Sequence, residues 1–143
     1  MSDFIGTQRC KLDSKGRLQV PAGFRRNLGL EGGETFVLSK GFDTGLLLFL
    51  PEGWRGFQSK LEALPPGPEK RQAIRYFSAN SASLPVDKQG RLSLPKDFLE
   101  SLGAPAELVL VGALDRIELW NPADFEGELQ NVDAALRQVE RLL

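Results

Sequence analysis

The sequence contains no histidine, and Cys10 is its only cysteine among 143 residues. The lack of histidine excludes a Ser-His-Asp triad, a Cys-His pair and any histidine-based metal site. A lone cysteine cannot form an internal disulfide, which is typical of a reducing compartment. No P-loop or GxGxxG fingerprint is present, so the common nucleotide-binding signatures are also missing.

Long apolar segments are missing as well. The longest apolar run covers only residues 46–50, whereas a helix that crosses a bilayer needs about 20 apolar residues. The first residues, MSDFIGTQRC, lack the basic and then apolar layout of a signal peptide. With 41% hydrophobic and 26% charged residues, the composition is that of a globular domain. We therefore expect a soluble cytoplasmic protein without a membrane partner.

The charge is small overall but unevenly distributed. The formal net charge is −1, which by itself gives no reason to expect a nucleic-acid partner. Residues 1–30 carry six basic and two acidic side chains, and residues 115–143 carry three basic and seven acidic ones. The chain therefore has a basic beginning of net charge +4 and an acidic end of net charge −4. This distribution is more informative about partners than the sum.

The sequence contains an internal duplication. DSKGRLQVPAGFRRNLG at 13–29 aligns with DKQGRLSLPKDFLESLG at 87–103 under a constant shift of 74 positions. Eight pairs are identical: Asp13/Asp87, Gly16/Gly90, Arg17/Arg91, Leu18/Leu92, Pro21/Pro95, Phe24/Phe98, Leu28/Leu102 and Gly29/Gly103. Such self-similarity indicates two copies of one structural unit.

Each copy predicts the order β-β-α-β-β followed by a helix. Strands are predicted at 10–12, 17–20, 35–39 and 45–50 in the first copy, and at 83–86, 91–94, 107–111 and 116–120 in the second. Gly16 and Gly90 occupy hairpin loops that require a residue at positive φ. Pro21 and Pro95 suit the first position of a helix, and Gly29 and Gly103 would end these two helices.

The remaining segments predict helices at 51–64, at about 69–79 and from Asn121 to the end. Four apolar residues of the first of these helices share one face: Trp54, Phe57, Leu61 and Leu64. The last helix has a coiled-coil-like seam of Phe125, Leu129, Val132, Leu136, Val139 and Leu143. We expect a first repeat with its helix over 4–64, a linker and connecting helix over 65–80, a second repeat over 81–120 and an amphipathic helix over 121–143.

A four-strand unit of this size buries little core and leaves its edges unpaired. Two copies solve both problems if their hairpins interleave into one barrel-like sheet. The predicted fold class is therefore α+β, with two repeats interleaved as an intramolecular pseudo-dimer and flanked by helices.

The duplicated aspartates allow two interpretations. Asp13 and Asp87 could form a catalytic dyad on a two-fold axis, as in aspartic proteases. That chemistry normally occupies an Asp-Thr/Ser-Gly turn, whereas two residues separate each aspartate from its glycine here. In the favoured interpretation, each aspartate binds N–H groups of its turn or pairs with the arginine four residues later. We therefore expect no enzymatic activity.

The basic residues around the first turn favour binding instead. Window 13–29 carries four basic residues against one aspartate, whereas window 87–103 is neutral. A basic hairpin repeated on a symmetric body could bind phosphates and read groove edges. A scaffold whose basic face binds an acidic protein partner remains the alternative.

Several motifs together resemble the MraZ family of bacterial transcriptional regulators, which have two AbrB-like repeats, each with a DxxxR signature. They are Asp13-x-Lys15-Gly16-Arg17, Asp87-x-x-Gly90-Arg91, Leu46-Leu47-Leu48-Phe49 before Trp54, Arg71 with Arg75, and Ile117-Glu118-Leu119-Trp120. The match runs from about Phe4 to Trp120. The second turn departs from the first, because Gln89 stands where the first has Lys15.

The resemblance implies a swapped-hairpin AbrB-like β-barrel and a ring-shaped homo-oligomer associated with the nucleoid. It also implies binding to short direct repeats of double-stranded DNA in the promoter of a division and cell-wall gene cluster, which includes the protein's own promoter. The DNA contacts that it implies are Lys15 and Arg17, with Lys88 and Arg91 in the second copy. We add Arg9 and Lys11 from the basic beginning, and expect no cofactor, metal or small-molecule substrate.

Overall fold

The computed structural model describes residues 4–25 and 35–143, which form eight strands and six helices. The first repeat contains β1 (Phe4–Lys11), β2 (Arg17–Gln19), α1 (Ala22–Arg25), β3 (Thr35–Lys40) and β4 (Leu46–Phe49). Two helices follow, α2 (Pro51–Glu62) and α3 (Pro68–Ala79). The second repeat contains β5 (Ser81–Pro85), β6 (Arg91–Ser93), α4 (Lys96–Ser101), β7 (Glu107–Leu114) and β8 (Ile117–Trp120), before α5 (Pro122–Gln130) and α6 (Asp133–Leu142). The predicted α+β class is confirmed.

Six strands form one antiparallel sheet in the order β1-β7-β8-β4-β3-β5. The first strand of each repeat pairs with the third strand of the other repeat, since β1 pairs with β7 and β5 with β3. β4 of the first repeat pairs with β8 of the second, and this pair joins the repeats at the centre of the sheet. Neither repeat therefore completes its sheet without the other.

The remaining two strands, β2 and β6, form a separate antiparallel ribbon. Its register pairs Leu18 with Leu92, and Arg17 and Gln19 with Ser93 and Arg91. Leu18 and Leu92 are equivalent positions under the shift of 74. Arg17 pairs with Ser93, the equivalent of Gln19, and Gln19 pairs with Arg91, the equivalent of Arg17. The same holds in the sheet, where Leu47 lies opposite Glu118 at the shift of 71. The register is thus that of two units related by an approximate two-fold axis.

Two apolar clusters lie on opposite faces of the sheet. The larger contains Leu46 and Leu48 of β4 together with Leu18 and Leu92 of the ribbon. The smaller contains Leu47 and Phe49 with the side chains of α2 and α3. The apolar run at 46–50 is therefore buried on both faces of a central strand, which explains its continuous hydrophobicity.

The helices differ from the sequence expectations at several points. Phe57 is buried and both Trp54 and Leu61 pack beside it, whereas Leu64 follows the end of α2 and is 39% exposed. Pro95 precedes α4 as its N-cap, one position earlier than predicted. The predicted helix stop at Gly29 lies outside the described residues.

The C-terminal segment forms two helices, so the single continuous helix predicted over 121–143 is wrong. α5 begins as predicted, with the Asn121 side chain accepting from the backbone N–H of Ala123. It ends at Gln130, and the side chain of the C-cap residue Asn131 donates to the carbonyl of Gly127. Glycine and asparagine are weak helix formers, and the apolar seam continues across the break, which is why periodicity did not reveal it. No residue of α5 or α6 is buried.

Candidate nucleic-acid interface

The turn between β1 and β2 is organised by the carboxylate of Asp13. Its Oδ1 atom accepts from the backbone N–H groups of Lys15 and Arg17, each at 2.9 Å. Its Oδ2 atom accepts from Nε of Arg17 at 2.6 Å. Since this salt bridge uses Nε, the terminal nitrogens of the guanidinium are not part of it. The aspartate thus holds both the turn and the stem of the arginine, and leaves the end of that arginine for another acceptor.

The turn between β5 and β6 repeats this geometry. Asp87 Oδ1 accepts from the backbone N–H groups of Gln89 and Arg91 at 2.9 Å each, and Oδ2 accepts from Nε of Arg91 at 2.9 Å. The side chains of both arginines are about three-quarters buried, with 29% of Arg17 and 27% of Arg91 exposed. Both guanidinium groups are therefore positioned before any ligand arrives.

Hydrogen bonding lowers the pKa of both aspartates. The backbone N–H of Arg17 contributes most to the lowered pKa of Asp13, and its guanidinium adds to this effect. The backbone N–H of Arg91 has the same role for Asp87. A proton-sharing dyad would require one carboxyl with a raised pKa. The hydrogen bonds within each turn, with the lowered pKa of both carboxyls, support the turn-forming role of these aspartates.

The turn glycines connect the two repeats. Gly16 and Gly90 have φ values of +75° and +77°, which favour glycine. The carbonyl of Gly90 accepts from the N–H of Val20, and the carbonyl of Gly16 accepts from the N–H of Leu94, at 3.0 and 3.1 Å. Each turn therefore lies beside the end of the other repeat's ribbon strand.

The outward face of the ribbon carries four polar residues. Leu18 and Leu92 are fully buried, and because side chains alternate along a strand, their neighbours face away from the core. These neighbours are Arg17, Gln19, Arg91 and Ser93. Residue exposure agrees, because Gln19 and Ser93 are exposed. We name these four residues the ribbon face.

Lys15 and Lys88 extend the ribbon face at its two ends. Each lies exposed in one of the turns, and the antiparallel pairing places the turns at opposite ends of the ribbon. The two lysines are not at equivalent positions, since Lys88 corresponds to Ser14 under the shift of 74. Each turn nonetheless carries one aspartate, one lysine and one arginine, so their net charges are equal.

Arg9 and Lys11 lie on β1, outside the ribbon. Arg9 forms a salt bridge of 2.6 Å with Glu107 across the β1–β7 pair, and Lys11 faces the same Glu107 in the register. Both are exposed. The structure thus brings four of the six predicted DNA-binding residues to the ribbon and its turns, and leaves these two beside an acidic neighbour.

Gln19 and Ser93 were not among the residues singled out from the sequence. In each repeat the order is the DxxxR arginine, a buried leucine, and then Gln19 or Ser93. Because side chains alternate along a strand, Gln19 and Ser93 lie on the same face as Arg17 and Arg91. The signal that could have found them is this alternation combined with the pairing of β2 and β6. The pairing itself was not predicted from the residues.

A two-stranded ribbon that presents two arginines from Asp-anchored turns is an arrangement suited to binding a polyanion. Comparison with known proteins then gives the family. A family model described as "MraZ protein, putative antitoxin-like" matches residues 4–74 and 77–142. The chain belongs to the MraZ family, as its motifs indicated.

Curated relatives agree with this assignment. The "Transcriptional regulator MraZ" of Lachnoclostridium phytofermentans is 39% identical over 123 residues, which cover 86% of this chain and 84% of the relative. The "Transcriptional regulator MraZ" of Caldicellulosiruptor bescii is 35% identical over 143 residues, which cover 96% and 97%. Similarity therefore extends over almost the whole chain.

The solved structures that match include the solution structure of PHS018 from Pyrococcus horikoshii. The match covers 83% of this chain and 92% of that one, at 16% identity and a TM-score of 0.34, which is too low to inform the fold.

Among the helices of residues 4–25 and 35–143, none is long and apolar enough to cross a membrane.

Proposed function

We propose that the protein is a transcriptional regulator that binds double-stranded DNA sequence-specifically through the ribbon face. The observation that carries the proposal is the pair of arginines, Arg17 and Arg91, each anchored through Nε by an aspartate of its own turn. Preorganised guanidinium groups lose little side-chain entropy on binding. The names of the relatives support a regulatory role.

The ribbon would enter the major groove in this proposal. That groove admits a two-stranded β-ribbon, and arginine is the commonest reader of guanine O6 and N7 there. Lys15 and Lys88, at the two ends of the ribbon, would contact phosphates and fix its position. Arg9 and Lys11 would add attraction at longer range, reduced by Glu107.

The body that carries the ribbon is a swapped-hairpin AbrB-like pseudo-dimer in this proposal. Support comes from the exchange of first strands between the repeats and from the two-fold register of both the ribbon and the central strands. Two equivalent turns in one chain place two arginines at a fixed separation. The DNA would then bind to two guanidinium groups whose separation is fixed.

One subunit offers only a few phosphate contacts, which gives weak binding at physiological salt. A ring-shaped homo-oligomer that binds several direct repeats would raise the effective concentration of each later contact. We propose that these repeats lie in the promoter of the division and cell-wall gene cluster, including the protein's own promoter. The protein would then act in the cytoplasm, at the nucleoid.

The test is fluorescence anisotropy with a duplex from upstream of the protein's own gene and a scrambled duplex of equal length. Wild type, Arg17→Ala and Arg55→Ala are compared across a salt series. Arg55 is exposed on α2, so its variant loses the same charge away from the ribbon. The proposal expects a preference for the native duplex that Arg17→Ala loses and Arg55→Ala keeps.

Equal binding of both duplexes by the wild type would contradict sequence-specific recognition. A basic scaffold for an acidic protein partner would then be the better explanation, because such a scaffold has no reason to prefer one duplex.

A further inference from the structure

The approximate two-fold symmetry of the ribbon face is broken at one position. Arg17 and Arg91 are equivalent, but Gln19 of β2 corresponds to Ser93 of β6. In the register, Gln19 lies opposite Arg91 and Ser93 lies opposite Arg17. One end of the ribbon face therefore presents arginine with glutamine, and the other end presents arginine with serine.

The amide of Gln19 is held in one orientation. Its Nε2 atom donates to the carbonyl of Gln89 at 2.9 Å and lies 3.4 Å from the carbonyl of Gly90. Because a carbonyl oxygen only accepts hydrogen bonds, the nitrogen of the amide must face these groups. The Oε1 atom is then the part of Gln19 that these bonds leave for an incoming donor.

The two turns of the ribbon do not differ in net charge. Asp13, Lys15 and Arg17 surround one turn, and the other turn has an aspartate, a lysine and an arginine as well. The charges of the two turns are therefore equal, and the difference between Gln19 and Ser93 concerns base edges. An oriented acceptor selects bases with an exocyclic amino group, adenine N6 or cytosine N4, in the major groove. A serine hydroxyl both donates and accepts, so it tolerates either kind of edge.

We propose that Gln19 is a specificity-determining residue that makes the footprint of one subunit directional. The end of the ribbon with Gln19 and Arg91 selects a base with an exocyclic amino group beside the base that Arg91 reads. The end with Ser93 and Arg17 makes no such selection. This inference rests on the proposed DNA-binding function and adds the direction of reading to it.

A directional footprint has a consequence for any cyclic assembly of this chain. Subunits related by rotation meet a bent or wrapped duplex in the same orientation. Identical directional readers then match sites repeated head to tail and not inverted sites. If the footprint were two-fold symmetric, the orientation of successive sites would not matter.

The test is selection of binding sites from a random duplex library by wild type, Gln19→Ser and Gln58→Ser. Gln58 is exposed on α2, so its variant is a control for the same substitution away from the ribbon. The expected wild-type motif has adenine or cytosine preferred on one side only, about three- to tenfold, as expected of one hydrogen bond. Gln19→Ser should lose this preference and give two equivalent halves, while Gln58→Ser should give the wild-type motif.

A reciprocal variant strengthens the test. Ser93→Gln in the Gln19→Ser background restores one glutamine at the other end, so the preference should reappear on the opposite side of the motif. If wild type and Gln19→Ser enrich the same asymmetric motif, the role of Gln19 is overturned while DNA binding stands. If the wild type enriches no motif, the proposed function itself fails, and the role of Gln19 fails with it.

Discussion

Leu18 and Leu92 lie directly opposite each other in the ribbon, and both side chains are fully buried. They are the same residue of the two repeats, so the approximate two-fold axis passes between them. Because these leucines lie on the inner face of the ribbon and side chains alternate along a strand, Arg17 and Arg91 lie on its outer face. The apolar pair thus fixes the position of the two arginines relative to each other and to the sheet.

Leu18→Ala should destabilise the protein strongly. Removal of a fully buried leucine side chain leaves a cavity and costs about 2–5 kcal/mol in the free energy of unfolding. Urea denaturation monitored by circular dichroism measures this cost. Leu129→Ala is the control, because Leu129 is 59% exposed and its truncation should change stability by less than about 0.5 kcal/mol. Equal effects of the two variants would mean that the ribbon does not pack on the sheet as described.

Gly16→Ala should destabilise the turn for two reasons. Its φ of +75° costs an L-residue about 1–2 kcal/mol, and a Cβ atom would lie 2.8 Å from Cδ1 of Leu99. Gly23→Ala, in α1, is the matched control because a Cβ atom there meets nothing within 4 Å. It should stabilise the protein by about 0.5 kcal/mol through higher helix propensity. Thermal unfolding of both variants checks the contrast, and a stable Gly16→Ala would contradict the turn geometry.

Stability should fall at acidic pH partly through the two turn aspartates. Because the pKa of Asp13 and of Asp87 is lowered in the folded state, their contribution is fully present above the unfolded pKa of about 3.9. It is lost as the pH falls through the lowered folded pKa. The urea midpoint of the Asp13→Asn/Asp87→Asn variant should therefore be lower at pH 7, and should decrease less than that of wild type below about pH 4.

Asp43→Asn is the control for replacing an aspartate by asparagine, since Asp43 lies exposed in the β3–β4 loop, outside both turns. Its urea midpoint should match that of wild type across the pH series. A double variant whose midpoint decreases as steeply as that of wild type below pH 4 would contradict the turn-forming role.

Arg17→Lys should separate charge from geometry at the ribbon face. Lysine keeps the positive charge, so the slope of log affinity against log salt should stay unchanged, whereas Arg17→Ala should reduce it by about 1. Lysine lacks the planar guanidinium group that can donate two hydrogen bonds to guanine. The free energy of binding to the preferred duplex should therefore still weaken by about 1–3 kcal/mol. Anisotropy titrations across a salt series measure both quantities. If Arg17→Lys binds as tightly as wild type, Arg17 contacts phosphate only.

Much of the local structure was predictable from the sequence, because its determinants are local. Gly16 and Gly90 mark positive-φ turns, and Asn121 marks the start of a helix. Asp13 could be assigned to its turn because its partners lie within four residues. The family was recognisable because the paired DxxxR turns combine several such local signals.

Long-range pairing was not predictable from the residues in the same way. The exchange of β1 and β5 between repeats joins strands about 100 and 50 residues apart in the chain, and no local pattern specifies such partners. The ribbon face depends on this pairing, which is why Gln19 was missed. Val132 continued the apolar seam of the last helix, so the pattern concealed the break that Asn131 introduces.

The most direct test of the account is methylation protection of guanine N7 by the protein bound to its promoter duplex. Guanine N7 lies in the major groove, so arginines of the ribbon face that read guanine should protect it from dimethyl sulfate. We expect protected guanines in the wild-type complex, with one set lost in Arg17→Ala and a different set lost in Arg91→Ala. A complex that protects no guanine N7, or whose protection is unchanged in both variants, would contradict recognition through the ribbon face.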